Sequence, residues 1–179
     1  MVELNKRQFL IASAQTVGGL MFFPPLKSWG AVSKKNPLSF YNTHTGEYLK
    51  ILHATGKCPS TVQKKINAFL RDYRTGDTHP IDPFLLDIMT KIKKMSGSKG
   101  TIEVISGYRS PLTNKIMHEN SSGVAKKSLH MKGQAIDIRI DGMPTKKLHD
   151  LAVSLRLGGV GYYPESDFVH LDTGDFRTW

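Results

Sequence analysis

Two short stretches of the chain hold histidine and aspartate side chains at spacings that suit a metal ion. The first reads SLHMKGQAID (residues 128–137), with His130 and Asp137, and the second reads FVHLD (residues 168–172), with His170 at its centre. Catalytic zinc sites usually take three ligands from His, Asp and Glu and leave the fourth position to water, whereas structural sites are closed, commonly by cysteines. The chain has one cysteine, so a closed thiolate site is excluded. The pattern predicts a hydrolase with one Zn²⁺ per chain.

The residues around these side chains alternate in the way that β-strands do. Successive side chains of a strand point to opposite faces of its sheet, and three isoleucines alternate with the polar positions in residues 135–141. A strand that packs those isoleucines against the core must point Asp137 away from it. In the second stretch Val169 and Leu171 share one face, and His170 lies on the other. If the two strands join one sheet, Asp137 and His170 converge on its polar face, and His130 reaches over from the preceding loop.

The remaining patterns predict the elements that position these residues. A hairpin is indicated by the alternation in residues 38–42 and 47–52, and active-site loops often follow strands, as the loop 106–111 follows a strand at 101–105. Apolar residues at helical spacing and end signals predict helices over 60–74, with Ser60 as its cap, 83–95, from about 111 to 119, and 144–157. The last strands are expected at 160–163 and 168–172. The expected fold is a single α+β domain with a mostly antiparallel sheet, helices on its apolar face and a zinc cleft on the other.

The first 31 residues differ in kind from the rest. Lys6-Arg7 precede an apolar run from Phe9 to Phe23, and small residues follow near a cleavage point; this is the pattern of a secretory signal. The stretch NKRQFL (residues 5–10) resembles a twin-arginine export signal with lysine as its first basic residue. Residues 1–31 are therefore predicted to be an export signal that is cleaved, 32–36 a linker and 37–179 the domain, with the periplasm or cell-wall space as its location. An uncleaved N-terminal anchor or an amphipathic helix is the alternative; after cleavage no membrane span is expected.

The charge narrows the partners without selecting one. The chain carries 25 Lys and Arg against 15 Asp and Glu, a formal net charge of +10. Such a balance suits nucleic acid, an anionic membrane or an acidic polymer such as a cell wall rich in carboxylates, and a solvated basic surface that aids solubility is the simplest alternative. No run of five basic residues and no RNA-binding signature is present, so no nucleic-acid partner is predicted. The lone Cys58 is expected to be a packed thiol rather than a nucleophile, because no partner base is evident.

Three motifs together resemble a known family. SGYR (106–109), SxHxxGxAxD (128–137) and FVHLD (168–172), in that order, are similar to zinc peptidases that include D-alanyl-D-alanine carboxypeptidases, vancomycin-resistance D,D-dipeptidases and the hedgehog signalling domain. The strongest similarity is to the MepK-like murein endopeptidase branch, and it covers residues 37–179. The resemblance implies that His130, Asp137 and His170 bind zinc and that the protein cleaves peptidoglycan peptides. Cross-links between diaminopimelate residues, D,D-cross-links and stem-peptide bonds are all open as substrates.

The resemblance also implies roles for other residues. Arg109 would hold a substrate carbonyl or carboxylate, where its fork stabilises a developing oxyanion. Ser128 and Tyr108 are candidate substrate contacts. Asp172 is placed to orient a metal ligand through a hydrogen bond.

The proton-transfer group departs from the family pattern. Many relatives place a glutamate three residues before the last histidine, where it can act as general base, and here Asp167 occupies that position. Asp167 is the predicted catalytic base, Glu165 is the alternative, and Asp167 as a simple turn residue is a third reading. The departure also keeps open a second function, a non-catalytic zinc-containing module that binds wall or protein, since the hedgehog relatives retain the metal in a binding domain. The oligomeric state is not predicted.

Overall fold

A computed structural model describes residues 36–121 and 123–179, all of which fall within one compact unit. The predicted export signal and residues 32–35 of the linker lie outside the described residues. In chain order the elements are β1 (Asn36–Asn42), β2 (Tyr48–His53), α1 (Ser60–Phe69), α2 (Pro83–Ser96), β3 (Ile102–Ser106), α3 (Pro111–Asn120), a 3₁₀ turn (Leu129–Lys132), β4 (Ala135–Ile140), α4 (Thr145–Leu155), β5 (Gly159–Tyr163), β6 (Phe168–Asp172) and β7 (Arg177–Thr178).

One seven-stranded sheet, in the order β2-β1-β3-β4-β6-β5-β7, organises the domain. Four of the neighbouring pairs are antiparallel, whereas β1 with β3 and β5 with β7 are parallel. The α+β class is thus confirmed, and the sheet is mixed. The sequence did not predict the two parallel pairs. Strands β1 and β3 are separated along the chain by β2, α1 and α2, so no local pattern indicates their pairing.

The core lies on one face of this sheet. The isoleucines of β4 and the alternate residues Val169 and Leu171 of β6 are buried there in a single apolar cluster. Helices α1, α2 and α4 supply the opposing side chains, among them Ile66, Met89 and Leu148. The predicted strand parity is therefore confirmed, and the polar face of β4 and β6 is left for other uses.

Helix α3 differs from the other three helices. Its buried residues are Thr113 and Asn114 rather than apolar side chains, and Met117 lines the cleft described below. The expectation that all helices pack on the apolar face is therefore wrong for α3. Its N-terminus is fixed by Ser110, whose hydroxyl accepts a hydrogen bond from the Thr113 amide, and by Pro111 at the first helical position.

Two other helices are shorter than predicted. Helix α1 ends at Phe69 instead of residue 74 because Asp72 folds the following residues into a turn: its carboxylate accepts from the Arg74 amide, and its carbonyl accepts from Gly76. Its N-cap is Pro59, with no capping side chain, so the predicted cap at Ser60 is wrong. Helix α4 ends at Leu155, where Arg156 adopts a left-handed conformation with φ of 51°. Within the described residues, no helix has both the length and the hydropathy for a bilayer span.

Candidate metal centre and substrate cleft

The register of β4 and β6 brings the first two candidate ligands together. Asp137 lies directly opposite His170 in the antiparallel ladder, with both side chains on the polar face. Their closest atoms, Asp137 Oδ1 and His170 Nδ1, are 2.8 Å apart. The convergence predicted from strand parity is therefore present, and it follows from the isoleucines that fix which face of β4 is buried.

His130 reaches the same point from the 3₁₀ turn before β4. Ser128 caps this turn by accepting a hydrogen bond from the His130 amide, and Gly133 ends it with φ of 64°. A side chain at Gly133 would collide with the carbonyl of Pro80, so the chain needs glycine here both for its conformation and for the close approach. The turn aims the imidazole of His130 back over β4.

Hydrogen bonds fix which nitrogen of each imidazole faces the cluster. His130 Nδ1 lies 2.7 Å from the carbonyl of Gly107 and must donate to it, which leaves Nε2 for the cluster. His170 Nε2 lies 3.1 Å from Asp172 Oδ2, which leaves Nδ1. Metal-binding histidines usually donate their second N–H to a carboxylate or carbonyl in this way.

The three donor atoms lie close enough together to hold one metal ion. His130 Nε2 is 3.2 Å from His170 Nδ1 and 3.3 Å from Asp137 Oδ1, and all three atoms lie within 4.8 Å of one another. Ligands bonded to zinc at about 2.0–2.1 Å in a tetrahedron are separated by about 3.4 Å. Two of the three distances are close to this value, whereas Asp137 Oδ1 and His170 Nδ1 are closer together at 2.8 Å. The chemistry of the donor set therefore fits a zinc ion.

The charges of the cluster are strongly coupled. Burial opposes ionisation of Asp137, but the two imidazoles hold its pKa well below its usual range. Burial also opposes protonation of His170, yet the hydrogen bonds and charges of Asp137 and Asp172 raise its pKa to about 9. The two carboxylates therefore favour a positive charge at this point, as a bound cation would supply.

Asp172 is the most firmly held member of the site. It is fully buried and accepts hydrogen bonds from Arg177 Nη2 at 2.6 Å, from the Gly174 amide at 2.9 Å and from the Gly159 amide at 3.1 Å. Burial would raise its pKa, but His170, Arg177 and these amides hold the pKa well below its usual range. The predicted contact between Asp172 and a candidate ligand is present.

Arg109 lies beside the cluster with donors to spare. Its Nη2 is 3.8 Å from Asp137 Oδ2, and its contacts to Asn114 and Ser106, at 3.5 and 3.4 Å, are at the long limit for hydrogen bonds. Burial lowers the pKa of this guanidinium, an effect that Asp137 opposes. A cavity of about 640 Å³ opens over Arg109, Ser128 and the three candidate ligands.

Two predicted residues are not brought into this cavity. Tyr108 does not line it; its ring stacks on His79 with 5.0 Å between centroids. Asp167, with φ of 51°, accepts a hydrogen bond from Thr145 Oγ1 at 3.0 Å and lies 3.5 Å from Arg139 Nη1. Its neighbours Ser166 and Phe168 line the cleft, but Asp167 does not.

Sequence reasoning missed the aromatic wall of the cleft. The ring of Trp179 lies 5.3 Å from that of His170, and its Nε1 donates to the Tyr163 hydroxyl at 2.9 Å. Trp179 fits there because Gly161 has no side chain: a Cβ atom would lie 2.6 Å from the indole ring. The spacing of Gly161 and Trp179 along the sequence does not indicate this contact, because the contact depends on the pairing of β5 with β7.

An α+β domain with a buried His-Asp-His cluster beneath an arginine-bearing cleft has the arrangement expected of a metal-dependent hydrolase. The model of the family described as "Peptidoglycan L,D-endopeptidase MepK" matches residues 31–179. The protein of that name from Escherichia coli K12 is 39% identical over 182 residues, covering 99% of this chain and 98% of the relative. The "Probable peptidoglycan L,D-endopeptidase MepK" of Haemophilus influenzae is 42% identical over 181 residues, covering 99% and 97%. The chain belongs to the MepK peptidoglycan L,D-endopeptidase family, which confirms the resemblance seen in its motifs.

Proposed function

We propose that the protein is an exported zinc-dependent endopeptidase that hydrolyses peptide cross-links or stem peptides of peptidoglycan. The observation that carries the proposal is the His130, Asp137 and His170 cluster on the floor of a cleft that also presents Arg109. Membership of a family whose relatives are named L,D-endopeptidases supports hydrolysis of an L,D-bond. D,D-cross-links and other stem-peptide bonds are the alternatives.

The metal and the chain's own residues have separate tasks in this proposal. A zinc ion held by His130 Nε2, His170 Nδ1 and Asp137 Oδ1 would supply Lewis acidity for water activation and carbonyl polarisation. Arg109 would orient the scissile carbonyl and stabilise charge on its oxygen, because its guanidinium is buried and its other contacts are long and weak. Ser128 lines the cleft and stays a proposed substrate contact. For Tyr108 the proposal rests on sequence alone.

Asp167 stays the proposed general base, although its carboxylate is engaged outside the cleft. To take a proton it must leave Thr145 and Arg139, which is feasible for an exposed side chain in a turn whose neighbour Ser166 lines the cleft. Loss of a general base typically costs 10²–10⁴-fold in rate. Asp167→Asn should therefore lower kcat by about 100-fold and leave zinc affinity unchanged.

A matched variant separates catalysis from anchoring at Asp167. Thr145→Ala removes the hydroxyl that holds the carboxylate but leaves the carboxylate in place. If Asp167 is the base, Thr145→Ala retains activity while Asp167→Asn loses it. Equal, small effects of both substitutions would show that Asp167 only anchors the turn, and Glu165→Gln then tests the alternative base.

The test of the proposed function is digestion of purified peptidoglycan. The zinc-loaded protein is incubated with sacculi, and the released muropeptides are separated and identified by mass spectrometry. We expect new uncross-linked products from the wild type and none from His130→Ala. Wild-type protein with zinc bound that releases no product would exclude catalysis.

One observation favours a second candidate, a non-catalytic zinc-containing module that binds wall or protein. Asp167 occupies the family's base position, but its carboxylate contacts Thr145 and Arg139 rather than facing the cleft. Co-sedimentation with intact sacculi and turnover by the same preparation distinguish the two functions. Sedimentation without products would favour the binding module.

The proposed location is the periplasm or cell-wall space, supported by the signal pattern of residues 1–31. Fractionation of cells that produce the full chain, compared with a version lacking residues 2–31, tests this location. The full chain is expected in the periplasmic fraction and the shortened one in the cytoplasm. Equal retention of both in the cytoplasm would exclude export.

A further inference from the structure

A cluster of three side chains at the rim of the cleft has no role in the proposed hydrolysis. His44, in the turn between β1 and β2, stacks on Tyr73 with 4.0 Å between ring centroids and 12° between ring planes. The guanidinium of Arg74 lies 4.2 Å from the centre of the same tyrosine ring. All three residues line the cavity that contains the candidate metal ligands. We call them the Arg74 rim cluster.

Arg74 carries a charge without a counter-ion in this cluster. Within residues 36–121 and 123–179, no carboxylate oxygen lies within 4.0 Å of its guanidinium. The tyrosine face orients the guanidinium and supplies a weak cation–π attraction, but it provides no acceptor for the N–H groups. The planar fork is therefore available to a carboxylate.

The position of Arg74 is tied to that of Arg109 through one buried residue. Asp72, only 1% exposed, accepts from the Arg74 amide through Oδ1 at 2.9 Å and from the Ser110 amide through Oδ2 at 2.8 Å. The two arginines are close enough for the charge of Arg74 to oppose the charged form of Arg109. Like charges held together along a cleft favour an anionic occupant.

We propose that Arg74, oriented by Tyr73 and His44, binds a free carboxylate of the substrate peptide and makes the cleft selective for acidic peptides. This inference rests on the proposed function and names a specificity-determining residue for it. Peptidoglycan stems suit the requirement chemically: a diaminopimelate residue that forms an amide through one end still carries a carboxylate at the other. Arg109 serves the scissile carbonyl, and Arg74 serves the neighbouring carboxylate.

The test compares two synthetic cross-linked peptides that differ in one group, a free carboxylate beside the scissile bond or its carboxamide. Charge-assisted hydrogen bonds are worth about ten-fold or more in affinity. We expect the wild type to favour the acid by about ten-fold in kcat/KM, mainly through KM. Arg74→Gln should reduce this preference to about one, mainly by raising KM for the acid, and Arg74→Lys should retain part of it.

Arg156 provides a matched control, because its guanidinium lies 4.1 Å over the Phe176 ring and it does not line the cavity. Arg156→Gln should keep the wild-type preference. Arg74→Gln that keeps the preference, or that slows both peptides equally, would overturn the inference.

Equilibrium binding separates failure of this inference from failure of the proposed function. The same acid and amide peptides are titrated calorimetrically into wild type and Arg74→Gln. Acid-selective binding that depends on Arg74, without turnover of either peptide, would contradict hydrolysis of this bond and uphold the carboxylate site. Turnover without any acid preference would overturn the carboxylate site alone.

Discussion

The two nitrogens of His170 have carboxylate partners on opposite sides of the ring, Asp137 at Nδ1 and Asp172 at Nε2. The first contact lies within the candidate metal cluster, and the second sets the tautomer that exposes Nδ1 to it. Asp172 can do this because its other acceptor positions are filled by Arg177 and backbone amides. The orientation of His170 therefore depends on residues well outside the ligand set.

Substitution of Asp172 tests this dependence. Asp172→Asn keeps the shape of the side chain but removes the charge that supports His170, so we expect zinc affinity to fall by about 10- to 100-fold. Competition with a chromogenic chelator measures the affinity. Asp175→Asn, on an exposed position of the following loop, should match the wild type. An unchanged affinity in Asp172→Asn would contradict the assigned role.

The sequence predicted which residues form the ligand cluster but not the contacts of Asp167. Alternating isoleucines determine the direction of Asp137, since burial of apolar side chains dominates the choice of face. Asp167 is in a turn, where no periodicity applies, and its contacts are with Thr145 and Arg139 from other elements. Such partners are known only when the strand order is known.

The loop between β3 and α3 is held in place by a turn that follows α1, part of which the sequence predicted to be helical. Residues 70–77 form a turn around Asp72, and that turn holds Ser110 next to Arg109. Burial alone would raise the pKa of Asp72, but hydrogen bonds from Thr113, Ser110 and the Arg74 amide lower it to about 2. Helical spacing in residues 60–74 could not reveal this turn, because part of its support is the Ser110 amide, which lies far away in the sequence.

The lowered pKa predicts how the loop's stability depends on pH. The ionised form of Asp72 stabilises the fold above the ordinary pKa of 3.8, and this contribution is lost as the pH falls towards 2. Asp72→Asn should lower the free energy of unfolding by about 1–3 kcal/mol at pH 7, and its difference from wild type should shrink between pH 4 and pH 2. Urea unfolding at several pH values measures this.

Asp77→Asn is the control for Asp72, since Asp77 lies on the exposed side of the same turn. Its effect should stay within about 0.5 kcal/mol at every pH. A difference between Asp72→Asn and wild type that is independent of pH would contradict an ionised, hydrogen-bonded Asp72.

Strand β5 shapes the cleft because one of its residues, Gly161, has no side chain. Gly161 leaves the space that Trp179 fills, so Gly161→Ala should destabilise the fold by about 1–3 kcal/mol by overpacking. In a Trp179→Ala background the same substitution should cost little, because the clash is gone. Thermal unfolding of the four proteins of this double-mutant cycle gives the coupling. Equal costs in both backgrounds would show that Trp179 does not depend on Gly161.

The whole molecule combines a basic surface with a cleft that gathers several cations. The net charge is +10, and Arg74, Arg109, Lys127 and Arg177 all line the cavity. Charge alone left several classes of partner open. The placement of arginines in the cleft, together with family membership, favours an acidic peptide polymer over the other partners.

Zinc that binds the folded protein but not the unfolded chain should stabilise the whole domain. At a free zinc concentration about 100 times the Kd, the free energy of unfolding should rise by about 2.7 kcal/mol, which corresponds to an increase in Tm of about 5–10 °C for a chain of this size. Differential scanning fluorimetry with zinc and with a chelator measures the shift. His130→Ala should show a much smaller shift; an equal one would place the metal elsewhere.

We propose that the site formed by His130, Asp137 and His170 hydrolyses a peptidoglycan cross-link, and a single defined substrate tests this proposal most directly. A purified L,D-cross-linked muropeptide dimer is incubated in ¹⁸O-water with zinc-loaded wild type, chelator-treated wild type and His130→Ala. We expect only the zinc-loaded wild type to yield two monomers, one with a single ¹⁸O in its new carboxylate by mass spectrometry. An intact dimer with the zinc-loaded wild type, or equal cleavage by His130→Ala, would contradict the claim.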